Sequence, residues 1–404
     1  MIWKDVSVTE HPFFSLSIEL LLPGNVFNKN SMSFLAATIE NRDIRKISEK
    51  VERGNRISAD EALLLYQMAE LPLLGVLATK VRSRINGNNA YYNRNFHIEP
   101  TNICAYNCAF CSYHKKAGDP QAWEHSIDGM IDIVRRFKEE PVTEVHIVGG
   151  AHPQHDLHYY IDLIKRVREE RPQLHIKAFS AVEIDLMVKK SGLSLAKGIT
   201  LLKEAGVGSI PGGGAEIFDE KIRSKICAEK SSPATWLEIH RIAHEQGIPS
   251  NATMLYGHIE NYSHRVDHLN RLRELQDITG GFNAFIPLKY KSANNSMSAL
   301  GEVSIVEELR NYAVSRIFLD NIPHIKAYWP MTGREMAQIS LWYGADDLDG
   351  TIEDTTKIYS MAGAEEKNPS MTVDEIDKLI RQAGFNPIER DSFYRPIKRN
   401  NINN

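Results

Sequence analysis

Short β-rich runs alternate with segments of helical periodicity along most of the chain. The β-rich runs are NFHIEP (95–100), EVHIVGG (144–150), HIKAFS (175–180), GVGSIPGGG (206–214), PSNATMLYG (249–257), GFNAFIPLKY (281–290), HIKAYWP (324–330) and QISLWYGADD (338–347). Amphipathic segments such as YYIDLIKRVREE lie between them, with Tyr160, Ile161, Ile164 and Val167 at helix spacing. Eight strand–helix units are typical of a (β/α)8 TIM-type barrel, an α/β fold of about 250 residues. We therefore predict a barrel over residues 95–347.

The connection between the last two predicted strands is short, so the barrel prediction has the least support there. This connection holds little more than MTGREMA. A barrel that stays open at this seam is the alternative interpretation.

Two flanking regions differ from the barrel in their pattern. Residues 1–31 show no sustained period, whereas Met32 opens a helical run, so we interpret 1–31 as an extension outside the core and Met32 as the start of translation. A genuine N-terminal arm that packs on the body is the alternative. We predict that residues 32–94 form N-terminal helices, one of them capped by Ser58. We expect residues 348–404 to be a short α/β extension, with a helix opened by Thr372 and a short strand after Gly384.

Composition excludes several classes of protein. With 404 residues, 42% of them hydrophobic, the chain is long enough for one large barrel or two domains. Its net charge of −4 argues against a nucleic-acid surface, which would be basic. No apolar run approaches the roughly 20 residues of a membrane helix. Four cysteines are too few for a disulfide framework, which favours the reducing cytoplasm.

Three of the four cysteines lie in one loop, TNICAYNCAFCSYH, directly after the first predicted strand. Cys104, Cys108 and Cys111 have the spacing CxxxCxxC. With His114 they could form a closed Cys3His zinc site, and the chain would then be a zinc-stabilised binding barrel without redox chemistry. Three thiolates could instead hold a 4Fe–4S cluster, which leaves one iron open for a substrate to chelate. We favour the iron–sulfur cluster, because zinc sites usually pair a CxxC with a second, distant pair. The remaining cysteine, Cys227, we interpret as a small packing residue.

The cysteine motif, with aromatic Phe110 just before its last cysteine, resembles that of the radical S-adenosylmethionine (SAM) enzymes. In that superfamily SAM chelates the open iron, and an electron from the cluster cleaves SAM to methionine and a 5′-deoxyadenosyl radical. The resemblance implies roles at other strand ends: Gly149 and Gly150 near the methionine amine, Glu183 near a ribose hydroxyl, and Gly213 near adenine or carboxylate. It also implies a flavodoxin- or ferredoxin-type protein as electron donor.

Several longer stretches narrow the resemblance further. HIVGGAHP, KAFSAVEI, GVGSIPGGGAEIF, NATMLYGHIE and IKAYWPMTGRE together resemble the aminofutalosine synthases of menaquinone biosynthesis. Cyclic dehypoxanthine futalosine synthases and F0 synthases share the layout, and GGAHP with FSAVEI favours the first family. The family reaction adds the 5′-deoxyadenosyl radical to the enol ether of 3-[(1-carboxyvinyl)oxy]benzoate; the aryl group then migrates and a carboxylate leaves, giving aminodeoxyfutalosine.

A substrate with two carboxylates needs cationic or hydrogen-bonding partners, since a buried unpaired charge is very costly. Polar residues at or near the predicted strand ends are candidates for this role: His152, Lys177, Asn251, Tyr256, His258, Lys289 and Arg334. We expect Arg334 to clamp a carboxylate with two parallel bonds. We expect His152 or His258 to serve as a general acid, because histidine titrates near neutral pH.

Overall fold

The structure is a computed structural model that describes residues 39–350, 357–364 and 369–398. The predicted extension over residues 1–31 and the predicted start at Met32 lie outside the described residues. The strands are β1 Asn89–Asn93, β2 Asn95–Ile98, β3 Glu144–Ile147, β4 His175–Ala178, β5 Ser250–Tyr256, β6 Phe282–Lys289, β7 His324–Ile325, β8 Asp347–Gly350 and β9 Asn386–Glu389. The α-helices are α1 Arg42–Glu52, α2 Ala59–Met68, α3 Leu71–Asn86, α4 Ile127–Arg136, α5 Leu157–Glu170, α6 Ala181–Lys190, α7 Leu195–Ala205, α8 Glu220–Ile226, α9 Pro233–Glu245, α10 Tyr262–Thr279, α11 Ile305–Phe318, α12 Trp329–Thr332, α13 Arg334–Ser340, α14 Ile358–Met361 and α15 Val373–Gln382.

Parallel strands close into a barrel. β1 and β2 act as one bent strand: β2 pairs with β3, whereas β1 pairs with β8. β3 pairs with β4, and β5, β6 and β7 follow one another. The fourth barrel strand is reduced to Ser209 and Ile210, which bridge to β4 and β5. The predicted (β/α)8 barrel is therefore confirmed.

The seam between the seventh and eighth strands is hydrogen-bonded. Lys326 and Asp347 form a bridge, and the Ala327 N–H donates to the Asp347 carbonyl at 2.8 Å. The barrel is not open at this point. The predicted eighth strand over 338–347 was wrong, because residues 334–340 form helix α13 and β8 begins only at Asp347. The first strand also begins earlier than predicted, at Asn89 instead of Asn95.

The regions that flank the barrel form the helices that the caps predict. Ser58 caps α2 and Thr372 caps α15, each in a reciprocal capping box with a glutamate three residues on. Strand β9, which follows α15, pairs in parallel with β1. The C-terminal extension therefore packs against the amino end of the barrel. In the described part of the chain, no helix is long and apolar enough to cross a membrane.

Candidate active site

The three-cysteine loop is held at the carboxyl end of the first barrel strand by backbone hydrogen bonds. The Lys116 ammonium donates to three consecutive carbonyls, those of Cys104, Ala105 and Tyr106, at 3.0–3.4 Å. The Ala109 N–H donates to the carbonyl of Ile226 at 2.8 Å. These hydrogen bonds to the loop backbone fix the conformation of the loop.

The thiols of this loop line one cavity of about 250 Å³, which we call the outer compartment. All three cysteines are free, and Cys108 is buried. Burial raises the pKa of the Cys108 thiol to about 12 and also raises that of Cys111. A bound metal must therefore offset the cost of forming buried thiolates.

The spacing of the thiols does not suit a single zinc ion. Zinc lies about 2.3 Å from each sulfur, which places neighbouring sulfurs about 3.8 Å apart in a tetrahedron. Among the described residues, the one group of three or more such ligand atoms within 4.8 Å of one another is Glu124, His152 and His155. Both ring nitrogens of His114 are engaged, with the Cys111 carbonyl at 3.0 Å and Asn107 Oδ1 at 2.8 Å. The three thiols therefore fit a multi-iron cluster better than a Cys3His zinc site.

Gly149 and Gly150 follow the end of β3 and lie against the cysteine loop. A Cβ on Gly149 would lie 2.8 Å from the Thr101 carbonyl oxygen, and one on Gly150 would overlap the Ile103 carbonyl. Their lack of side chains thus lets the cysteine loop pack on the strand end. At Gly213, by contrast, the nearest atom to a Cβ is Ser180 Cβ at 3.4 Å, so this glycine borders open cavity.

The Glu183 side chain is buried, not solvated. Its carboxylate accepts hydrogen bonds from the Ser180 N–H at 2.7 Å, the Ser180 hydroxyl at 2.5 Å and the Gly149 N–H at 3.2 Å. Burial raises the pKa of Glu183 to about 7. Glu183 therefore caps α6 and holds the glycine turn, while it also lines the outer compartment.

Lys230 is a cavity residue that no sequence motif indicated. Its ammonium lies 2.6 Å from Glu216 Oε1 and 5.2 Å from the centre of the Phe110 ring. Its side chain is 15% exposed, and it lines the outer compartment together with the thiols. The site thus contains a fixed cation beside three prospective thiolates.

A second cavity, of about 170 Å³, adjoins the first inside the barrel and is called the inner compartment here. The two share lining residues, among them Val148, Gly213 and Leu288. Lys177 and Asn251, both predicted site residues, line the inner compartment. Other polar side chains that line it were not predicted, namely His97, Glu144, His146, Lys326 and Asp349.

Four of the seven predicted site residues line neither compartment: His152, His258, Arg334 and the buried Tyr256. His152 lies behind the glycine turn, where its Nδ1 accepts from the Gln154 N–H at 3.1 Å and its Nε2 is 3.6 Å from Glu124. The His258 side chain is fully buried beside Glu260. Arg334 donates to the Ser370 carbonyl at 3.0 Å on the outside of the barrel. Contact of His152, His258 and Arg334 with a substrate stays a prediction, and their positions away from the two compartments do not support it.

Of the other two candidates, Lys289 lies at the cavity and Tyr256 lies in the core. Lys289 lines the outer compartment and forms ion pairs with Glu302 and Glu308. Tyr256 is buried, with the Arg265 guanidinium 5.1 Å from its ring centre. Cys227 is also buried, as expected of a packing residue.

A barrel with a three-thiol loop at the carboxyl ends of its strands is the architecture of a radical SAM enzyme. The chain matches the radical SAM superfamily over residues 98–272 and the CofH/MqnC C-terminal region over residues 279–402. Among solved structures, methylornithine synthase has the same fold at 16% identity, with a TM-score of 0.68 over 84% of this chain and 97% of that chain.

Two curated relatives place the chain more narrowly. A protein named aminodeoxyfutalosine synthase, from Thermus thermophilus, is 43% identical over 356 residues, which cover 87% of this chain and 95% of the relative. The cyclic dehypoxanthine futalosine synthase of Streptomyces coelicolor is 38% identical over 365 residues, which cover 89% of this chain and 90% of that one. The chain therefore belongs to the radical SAM superfamily, and the predicted resemblance to the aminofutalosine synthases is confirmed. As a radical SAM enzyme it uses a 4Fe–4S cluster and SAM.

Proposed function

We propose that this enzyme transfers the 5′-deoxyadenosyl group of SAM to 3-[(1-carboxyvinyl)oxy]benzoate and so forms aminodeoxyfutalosine, a step of menaquinone biosynthesis. The observation that carries the proposal is the pair of adjoining compartments, with thiols at the outer one and ammonium groups along both. The identity to the Thermus thermophilus aminodeoxyfutalosine synthase supports it.

Cys104, Cys108 and Cys111 are the proposed ligands of the cluster. A reduced cluster bound by these thiolates would supply the electron for cleavage of SAM. The protein's part is to hold the three thiolates apart on a loop fixed by Lys116 and to limit access of water to a largely apolar cavity.

The outer compartment also contains the groups proposed to bind SAM. The Lys230 ammonium is suited to the methionine carboxylate, because it is a largely shielded cation next to the thiol loop. Gly149 and Gly150 form the floor beside it, and Glu183 keeps that floor in place. Gly213 borders both compartments and leaves room for a flat group such as adenine, with Phe110 on the same cavity.

The substrate is proposed to span the two compartments. Its double bond must lie near the adenosyl group, in the outer compartment, since that is where the new bond forms. Lys289 and Lys291 line this end, and Lys177 and Lys326 line the inner end. Ammonium groups at both ends match a molecule that carries a carboxylate at each end.

The test is turnover by the reconstituted enzyme. Reduced enzyme with SAM and 3-[(1-carboxyvinyl)oxy]benzoate is expected to give aminodeoxyfutalosine and methionine in equal amounts, as measured by mass spectrometry. The absence of that product would reject the proposal. Turnover of the substrate of the cyclic dehypoxanthine futalosine synthases instead would assign the chain to the sister activity, which the relative at 38% identity keeps as the second candidate. For the electron donor we propose a flavodoxin or ferredoxin, and either should replace the chemical reductant in this assay.

A further inference from the structure

The floor of the inner compartment is a network of six charged side chains. Its cations and carboxylates are equal in number: Lys177, Lys326 and Arg390 against Glu144, Asp347 and Asp349. All six are buried. The network therefore places no net charge beneath the cavity. Whether it can bind an anion depends on which of its N–H donors are not already used within the network.

Lys326 retains donors for a ligand. Its Nζ is 2.7 Å from Asp349 Oδ1 and 3.9 Å from Asp347 Oδ2, so only the first is within hydrogen-bond distance. An ammonium group has three N–H donors. Lys177 is similar, with one bond of 2.7 Å to Glu144 Oε1. Both lysines line the inner compartment.

Arg390 satisfies the carboxylate that would otherwise compete for Lys326. It comes from the C-terminal extension, is 1% exposed, and its Nη2 lies 2.6 Å from Asp347 Oδ2. Tyr394 also donates its hydroxyl proton to that oxygen. Because Arg390 and Tyr394 pair Asp347 from below, Lys326 directs its hydrogen bond to Asp349 and interacts with Asp347 only at 3.9 Å.

The chemistry of the proposed substrate decides which carboxylate arrives here. The enolpyruvyl carboxylate is attached to the double bond, so it stays with the reacting carbon in the outer compartment. The benzoate carboxylate is on the far side of the ring and reaches the inner end. The aromatic ring between the two carboxylates would contact the apolar side chains of Ile286, Leu288 and Val148, which line the inner compartment.

We propose that Lys326, assisted by Lys177, binds the aryl carboxylate at the inner end of the cavity and thereby selects arenecarboxylates, and that Arg390 is the positioning residue that keeps Lys326 available. This inference rests on the proposed function for the orientation of the ligand. Selectivity arises because a carboxylate accepts charge-assisted bonds from a desolvated ammonium, whereas a neutral amide of the same shape gains much less.

The experiment compares two probes, 3-methoxybenzoate and 3-methoxybenzamide, bound to the reconstituted enzyme with SAM and measured by calorimetry. The wild type is expected to bind the carboxylate at least about tenfold more tightly than the amide, the ratio expected of one charged hydrogen bond. Lys326→Met paired with Asp349→Asn removes one cation and one carboxylate, so the floor stays neutral, and it should reduce the ratio to near one. A ratio within about twofold of the wild type would overturn the proposal.

Asp349→Asn alone should change the ratio in the opposite direction. It releases Lys326 from its one bonded carboxylate, so the carboxylate probe should bind more tightly. Asparagine suits this position because Asp349 has a φ of 68°, where asparagine is favoured. A fall in the ratio would contradict the role given to Lys326. Lys138→Met, at an exposed position on the outside, is the control and should leave the ratio unchanged.

The positioning role of Arg390 has its own readout. Arg390→Met leaves Asp347 to compete for Lys326, so the carboxylate preference should be lost. Adding Asp347→Asn removes the competitor and should restore it. If the double variant has the iron content of the wild type but not its carboxylate preference, Arg390 has only a structural role, and this part of the proposal is overturned.

These outcomes separate the inference from the proposed function. If enolpyruvyl-benzoate is not converted but the probe ratio depends on Lys326, the proposed reaction fails and the carboxylate site stands. If aminodeoxyfutalosine forms but the ratio is indifferent to Lys326, only the inference fails.

Discussion

The backbone N–H of Gly149 donates to Oε1 of Glu183 across 3.2 Å and so joins the end of β3 to the start of α6. The other carboxylate oxygen of Glu183 accepts from Ser180, the N-cap of the same helix. One buried carboxylate therefore satisfies donors from two strand ends. An unsatisfied donor in this place would cost about 1–3 kcal/mol.

Glu183→Ala should destabilise the fold by about 2–4 kcal/mol, because both the Gly149 N–H and the Ser180 N–H lose their acceptor. Glu183→Gln keeps an amide oxygen that can complete a capping box, so its loss should be smaller. Anaerobic thermal unfolding of the three proteins measures the difference. Equal midpoints for all three would contradict this account.

The stability of the protein should depend on pH through Glu183. Burial raises its pKa from 4.5 to about 7, so the folded state binds more protons than the unfolded state between these values. The stabilisation is therefore fully present below about pH 4.5 and is lost as pH rises through about 7, by roughly 3 kcal/mol. Unfolding midpoints of wild type and Glu183→Gln at several pH values test this. The difference between the two proteins should change across that window, and a constant difference would refute the assignment.

Replacement of any one of Cys104, Cys108 and Cys111 by serine should abolish or sharply reduce the bound iron and sulfide, because the cluster loses one of its three proposed ligands. Cys227→Ala is the control: this cysteine is free and, like Cys108, buried, but it does not line the cavity. Iron and sulfide analysis of anaerobically purified protein makes the comparison. A Cys227 variant that loses as much iron as the others would show that the ligand set is wrong.

Gly150→Ala should displace the cysteine loop, because the added methyl group would overlap the Ile103 carbonyl, which is backbone and cannot rotate away. We expect lower iron retention and a lower unfolding temperature. Gly129→Ala is the control. This glycine lies within α4, where a Cβ meets nothing closer than 3.4 Å and alanine is favoured by about 0.5–1 kcal/mol. If the two alanine variants behave alike, the loop does not depend on Gly150.

Glu99 positions the helix that covers the cavity. Its carboxylate accepts from the Lys357 N–H at 3.0 Å and from the Ile358 N–H at 3.4 Å. Helix α14 places Ile358 and Tyr359 on both compartments. Glu99→Ala should raise KM for the aryl substrate about tenfold, the effect of one lost charged hydrogen bond. Cleavage of SAM without substrate should persist. Steady-state kinetics tests this, with Glu99→Gln expected to be intermediate; an unchanged KM would contradict it.

The fold was largely predictable because its signals are local. The amphipathic α5 and the caps at Ser58 and Thr372 lie where the pattern predicts them. The eighth strand was misplaced because Ile339, Leu341 and Trp342 form a short apolar run that periodicity cannot separate from a strand. The segment is helical because it lies between α3 and α15: Thr79 donates to the Trp342 carbonyl, and Gln338 donates to that of Leu379. Leu341 is buried there, whereas Ile339 stays exposed.

The site was predictable only where a motif marks it. The three cysteines converge on one cavity as their spacing indicates. Position at a strand end does not say which way a side chain points, since neighbouring residues alternate between the two faces of a sheet. His152 and His258 were therefore predicted at the cavity and lie elsewhere. Lys230 lies outside the quoted motifs, and Lys326 lies within IKAYWPMTGRE but was not predicted as a site residue. Only the fold brings these two lysines to the compartments.

The pairing of β9 with β1 joins segments almost 300 residues apart in sequence. Arg390, which neutralises Asp347, directly follows β9. On the ribosome the three cysteines emerge long before this strand, so the cysteine loop can form while the floor of the barrel is still incomplete. The charge network beneath the inner compartment is thus assembled last. Iron delivered during synthesis would therefore meet a barrel in which Asp347, beneath the inner compartment, still lacks its partner Arg390.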